Sequence, residues 1–165
     1  MILSVIIILA VVLLDQLTKY LSVLCLSGIP TFTVIENVLN FTYVENRGAA
    51  FGMLADNRAV FMIISSVGIV ALFVWLVVSK PKSAWMRVGI SFVIGGGIGN
   101  MIDRIGRGFV VDMIDCRFID FYVFNVADSF VCIGCGMIIL ALIIEIIVEQ
   151  KQKNKEKTVG EKNDD

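Results

Sequence analysis

The sequence contains no histidine. That removes Ser-His-Asp and Cys-His triads, histidine general bases and HExxH zinc sites. Charge is scarce too: 18% of the 165 residues are Asp, Glu, Lys or Arg, against about 25% in soluble domains. Net charge is -1, so no basic footprint points to nucleic acid. Cys25, Cys116, Cys132 and Cys135 are too few for the disulfide framework of a small secreted domain, and three of them lie in or beside long apolar runs. What abounds is apolar: 58% of residues are hydrophobic, and mean hydropathy is +0.88. One soluble core of this size cannot bury that much surface. The same numbers exclude an intrinsically disordered chain. Lipid is the solvent that remains.

A spanning helix needs about 20 predominantly apolar residues. Four segments qualify: Ile2–Leu26, Val60–Ser79, Trp85–Ile105 and Asn125–Val148. The first is not a cleavable signal peptide, because it lacks a basic leader, is too long and contains Asp15 and Lys19. Four spans put both termini on one side. Lys80, Lys82 and Arg87 in one linker, with Lys151, Lys153, Lys155, Lys157 and Lys162 in the tail, outnumber Arg47, Arg58, Arg104, Arg107 and Arg117 in the other loops. The positive-inside rule then places both termini in the cytoplasm. The expectation is one mainly α membrane domain over 1–149, with a charged, unstructured cytoplasmic tail over 150–165.

The outer loops carry shorter signals. In Thr31–Val44, Leu39, Phe41 and Tyr43 alternate with Asn40 and Thr42. Period two argues for strands, with Glu36-Asn37 as a turn. A small β-sheet at the outer face, within about 29–58, is expected. Phe109–Val111 and Phe118–Phe124 are further candidates for strands or an interfacial flap. The glycines of the third span, Gly89, Gly95, Gly96, Gly97 and Gly99, allow close helix approach.

Charges inside a membrane need a reason. Asp15 and Lys19 share a helix face and can pair, either as an anchor or as part of a site. Asn100 and Arg104 also share a face. Arg104 has three readings: a lipid phosphate ligand, a partner for Asp103, or an orienting group for a carboxylate. Structural support is the favoured reading of Asp103. Asp128 lies about one turn into the fourth span, some 5 Å below its start. If Asp112 folds down beside it, two like charges compete and one proton is shared. Such a pair can hydrolyse an amide. On spacing alone, Asp103, Asp115 and Asp120 compete for that role, and Asp128 reads as an acid favoured by the helix macrodipole. Cys132 and Cys135, with no histidine and no second CxxC, read as small packing residues.

Taken together, the motifs resemble a known family, the lipoprotein signal peptidases (signal peptidase II), intramembrane aspartic proteases of bacteria. Asp15-Gln16-Leu17-Thr18-Lys19 is similar to DQxTK, and Asn46-Arg47-Gly48-Ala49-Ala50-Phe51 to NxGAAF. Gly95-Gly96-Gly97-Ile98-Gly99-Asn100 with Asp103-Arg104 resembles GGAxGNxxDR. Val110-Val111-Asp112 with Ile114-Asp115 resembles VVDFxD, and Phe124-Asn125-Val126-Ala127-Asp128-Ser129 resembles FNxADS. Gly97 stands where alanine is common, and Tyr122 where a proline often precedes the FN pair. The resemblance implies a catalytic dyad of Asp112 and Asp128. Asp15, Lys19, Asn46, Gly48, Asn100, Arg104 and Asn125 would line or brace it; on the reading of the residues themselves, the outer strands and 48–54 could cover the bond. The resemblance also implies a diacylglyceryl-modified prolipoprotein as substrate, cut just before the lipidated cysteine, in the bacterial cytoplasmic membrane. No metal or organic cofactor is expected; globomycin is the expected inhibitor and membrane lipid a further partner. Two rival readings remain. A small transporter would use the intramembrane polar residues as an ion path. A structural subunit would tolerate loss of Asp112.

Overall fold

The computed structural model describes residues 1–48, 58–119 and 121–161. Among the described residues there are four helices: α1 (Ile2–Leu26), α2 (Arg58–Ser79), α3 (Ala84–Gly106) and α4 (Val126–Glu161). Three strands, β1 (Phe32–Ile35), β2 (Leu39–Asn46) and β3 (Val110–Cys116), form an antiparallel sheet in the order β1-β2-β3.

The helices are inside out by the standards of a soluble protein. In α1 the buried positions are Ser4, Ile8, Val11, Asp15, Lys19 and Ser22, one stripe at helical spacing. Leu9, Leu13, Leu17 and Leu24 face outward. Polar residues inside and leucine outside is the arrangement lipid demands. Segments in α1, α2 and α4 are long and apolar enough to cross a membrane: Ile2–Leu26, Met62–Ser79 and Val126–Asn154. α3, at 23 residues, has the length but not the composition. It packs against all three others, so less of it needs an apolar coat. Its glycines serve that contact. A Cβ on Gly96 would strike the Ala127 carbonyl, and one on Gly99 would lie 2.5 Å from Asp15 Oδ2. The bundle's apolar core is Ile8, Leu76, Met86, Ile90, Ile94 and Ala141.

Local chemistry ends each element. Ser83 caps α3 by accepting from Met86 N at 3.3 Å. Asn37, at φ 58°, makes the turn between β1 and β2. Two expectations need correction. The chain beyond Val148 continues as helix to Glu161 instead of losing structure at 150. Its Glu, Lys and Gln residues are good helix formers, and Glu149 pairs with Lys153 at 2.7 Å one turn on. Cys132 and Cys135 are exposed on the outer side of α4, not packed inward, and both are free thiols. Of the two further strand candidates, Val110 and Val111 open β3, whereas Phe124 makes only a single bridge, to Ile114.

Candidate active site

Two acids reach one place from different elements. Asp112 lies in β3, and Asp128 in the first turn of α4. The bridge between Ile114 and Phe124 holds the segment before α4 along β3, with Met113 N and Ile114 N donating to Phe124 O at 3.0 and 2.7 Å. That contact leaves Asn125 between the acids. Its Nδ2 donates to Asp112 Oδ1 at 2.6 Å. Its backbone N–H donates to Asp128 Oδ2 at 3.3 Å, and Asp128 N–H returns a bond to Asn125 Oδ1 at 2.9 Å. The last two bonds form a reciprocal capping box. Asp128 is therefore a helix cap and a site residue at once.

The remaining carboxyl oxygens meet two other amides. Asn46, at the end of β2, donates to Asp112 Oδ2 at 2.9 Å and accepts from Gly48 N at 3.0 Å. Asn100, in α3, donates to Asp128 Oδ1 at 2.7 Å. Asp112 is buried, and its carboxyl is pushed up to about 6. Burial is the main cause. The bond from Asn46 works against it, the charge of Asp128 adds to it, and Asn125 and Lys19 oppose it.

Behind the amides sits a fully buried charged cluster. Lys19 Nζ lies 2.9 Å from Asp15 Oδ2, 3.1 Å from Asp103 Oδ2 and 2.9 Å from Asn100 Oδ1. Lys19 can only donate, so it fixes which end of the Asn100 amide faces Asp128. The two carboxylates it binds also hold backbone. Asp15 Oδ1 accepts from Ala127 N at 2.9 Å, and Asp103 Oδ2 accepts from Val111 N at 3.1 Å. Each residue just before an acid of the pair is thus tied to the same lysine through one carboxylate. Gln16 Nε2 braces the cluster from the side, donating to Gly99 O at 3.1 Å and Asp15 Oδ2 at 3.2 Å. Arg104 reaches backbone in two segments. It donates to the carbonyls of Asn100 and Gly48, both at 3.3 Å, and Asp103 takes Lys19 and, at 3.7 Å, Arg107.

The structure therefore gathers Asp15, Lys19, Asn46, Gly48, Asn100, Arg104, Asp112, Asn125 and Asp128 into one network. Ala49, Ala50 and Phe51 of the second motif, and the rest of the expected cover over 49–54, lie outside the described residues. Sequence reasoning missed Gln16 and gave Asp103 only a supporting part. The available signal was the adjacency of Gln16 to Asp15 on a helix with a polar stripe. Beside the site, an apolar groove of about 390 Å³ runs between α1, the sheet and α4, lined by Leu21, Cys25, Phe41, Met113 and Val126 among others. Among the described residues no cluster of three or more Cys, Asp or Glu is placed to hold a metal.

Lipid-facing helices around a charged interior, with two acids joined through one asparagine at one end, define a multi-pass membrane protein with a paired-carboxyl site. Comparison with known proteins makes the class specific. A profile described as signal peptidase (SPase) II matches residues 7–144. The chain belongs to that family, and it is a peptidase. It is 43% identical over 131 residues to the lipoprotein signal peptidase of Caldanaerobacter subterraneus subsp. tengcongensis, covering 79% of this chain and 89% of that one. Against the lipoprotein signal peptidase of Clostridioides difficile it is 44% identical over 132 residues, covering 80% and 88%. A bacterial membrane enzyme solved in meso at 2.3 Å superposes with a TM-score of 0.80 at 37% identity, over 87% of this chain and 88% of that one. A second such structure, at 1.9 Å, gives a TM-score of 0.76 at 39% identity, over 84% and 91%.

Proposed function

We propose that this chain is an aspartic endopeptidase that removes the signal peptide from prolipoproteins carrying diacylglyceryl on cysteine, cutting just before that cysteine. Asp112 and Asp128 are the catalytic pair. One observation carries the reading: two carboxyls from separate elements share Asn125, and one of them has a raised affinity for a proton. Asp112 holds the shared proton. Asp128 takes a proton from water as the water oxygen bonds to the scissile carbonyl carbon. Asp112 donates to the carbonyl oxygen, the C–N bond breaks, and the leaving amine receives a proton from the pair. Asn46, Asn100 and Asn125 keep both acids in register throughout. Asp15, Lys19 and Arg104 hold the elements that carry them, and Gly48 supplies a carbonyl to Arg104.

The substrate follows from the name the relatives carry and from the site's setting. The apolar groove beside Met113 suits the lipid carried by the cysteine, and the acids lie at one end of the bundle, where a bond at the membrane surface arrives. Orientation follows from the Lys/Arg asymmetry, with both termini inside, and the cytoplasmic membrane as host follows from the family. Purified protein incubated with a diacylglyceryl-modified prolipoprotein is the test. The expected result is a shortened lipoprotein beginning at the lipidated cysteine, with cleavage blocked by globomycin. Cleavage of the unlipidated precursor at an equal rate contradicts the substrate assignment. Absence of cleavage with a well-folded enzyme contradicts the reaction.

A further inference from the structure

The end of the bundle away from the acids holds a second feature, which the peptidase reading does not use. A cavity of about 360 Å³ opens between the start of α1, the end of α2 and the start of α3. Its walls are mostly apolar, with Leu3, Ile7, Leu76 and Val88 among them, and Lys80 and Arg87 stand at one side. Among the described residues no acid lines it. Leu3 is largely exposed, so the space communicates with the bilayer.

Lys80 is placed against its own backbone preference. It follows the last residue of α2 with φ at 44°, the left-handed region where glycine or asparagine is the usual helix end. With Pro81 next in sequence, this turn ends α2 and leaves Lys80 at the edge of the cavity. Arg87 fixes the turn that presents it, donating from Nη1 to the carbonyls of Pro81 and Lys82, both at 2.7 Å. An apolar space at membrane depth takes a hydrocarbon chain, and cations at its edge select the headgroup.

We propose that this cavity binds an anionic phospholipid, with an acyl chain between α1, α2 and α3 and the phosphate on Lys80. The molecule carries its own control. On the other side of the α3 start lies a second cavity of about 400 Å³, lined by Trp85, Ala141 and Ile144 but edged by Glu145 and Glu149. Its size and apolar walls are similar and its charge is opposite, so it does not attract the same headgroup.

Native mass spectrometry of the full chain released from detergent micelles tests the proposal. Dioleoylphosphatidylglycerol and dioleoylphosphatidylcholine are titrated separately, and inorganic phosphate is added in a third arm. The expected result is one phosphatidylglycerol retained at least about fivefold better than phosphatidylcholine, the worth of a single cation at a membrane surface. Inorganic phosphate should neither bind measurably nor displace it. Lys80→Gly relieves the backbone and removes the charge, so the protein stays folded and keeps its peptidase activity while the preference falls to near unity. Lys80→Arg keeps the preference, and so does Glu145→Gln. Equal retention of the two lipids overturns the proposal. A preference surviving Lys80→Gly places the phosphate on another cation and overturns it too. Phosphate binding as well as the lipid overturns the lipid as occupant.

Discussion

Asp112 combines near-complete burial (1% exposed) with a carboxyl pushed up to about 6. Because the folded value lies above the ordinary 3.8, the folded state binds the proton more tightly than the unfolded chain does. The cost of the charge is absent below the unfolded value, grows as pH rises toward 6 and is complete above it. At 1.36 kcal/mol per pH unit it reaches up to roughly 3 kcal/mol. Asp112→Asn should therefore raise Tm at pH 7.5 and have little effect at pH 4. An equal Tm change at both values would contradict this. Activity carries a second signature. A pair active with one proton loses activity as Asp112 releases it, so kcat/KM of the free enzyme should decline as pH rises through about 6. Asn46→Ala removes a donor that favours the charged form, so the decline should move to higher pH. A profile that stays in place argues against Asp112 as the proton carrier. Spacing alone did not separate these acids from their competitors, and the structure shows why each described competitor is occupied. Asp103 is bound to Lys19, and Asp115 pairs with Arg117 at 3.0 Å. Asp120 lies outside the described residues. The motifs, not the spacing, singled out Asp112 and Asp128. Gln16 stood beside Asp15 in the first motif, but its bond to Gly99, 83 residues away, was not readable from spacing.

The long elements were legible because lipid demands unbroken apolar runs, and the β1–β2 hairpin because one face alternates around Asn37. β3 was only partly legible. Five of its first six residues, Val110, Val111, Asp112, Met113 and Asp115, are buried, so no period of two survives. The tail of α4 was misread because polarity was taken for disorder, whereas Glu and Lys at helical spacing support a helix. α3 carries the closest constraint. Its Gly99 backbone lies against Asp15, and a methyl carbon added there would come within 2.5 Å of Oδ2. Gly99→Ala should push α1 and α3 apart at the Lys19 cluster. Overpacking of this kind costs about 1–3 kcal/mol, and cleavage should fall about tenfold or more while the protein still inserts. Gly68→Ala, with open space around its position, is the control and should leave both unchanged. Thermal melts and cleavage rates on the two variants check this; wild-type cleavage by Gly99→Ala would separate the close contact from the site.

At the scale of the whole molecule, the polar network lies at the sheet end of the bundle, and the helices beyond it present mostly apolar side chains outward. That asymmetry disfavours an ion path across the membrane and suits chemistry at one surface. It also makes orientation testable. In a cysteine-free background, a cysteine placed at Glu36 in the hairpin turn should be labelled by an impermeant reagent from outside the cell, and one at Ser83 should not. The reverse pattern would invert the site's placement. The central claim is that two acids act as one unit, and its most direct measurement is cleavage of a lipidated prolipoprotein by Asp112→Asn, Asp128→Asn and the double variant. Each single change should abolish cleavage, because an amide can neither take the water's proton nor supply one to the leaving amine. The double variant should be hardly worse, since effects within a catalytic unit do not add. Cys132→Ala and Cys135→Ala should keep most activity. A well-inserted Asp112→Asn protein that cleaves at near the wild-type rate would contradict the account.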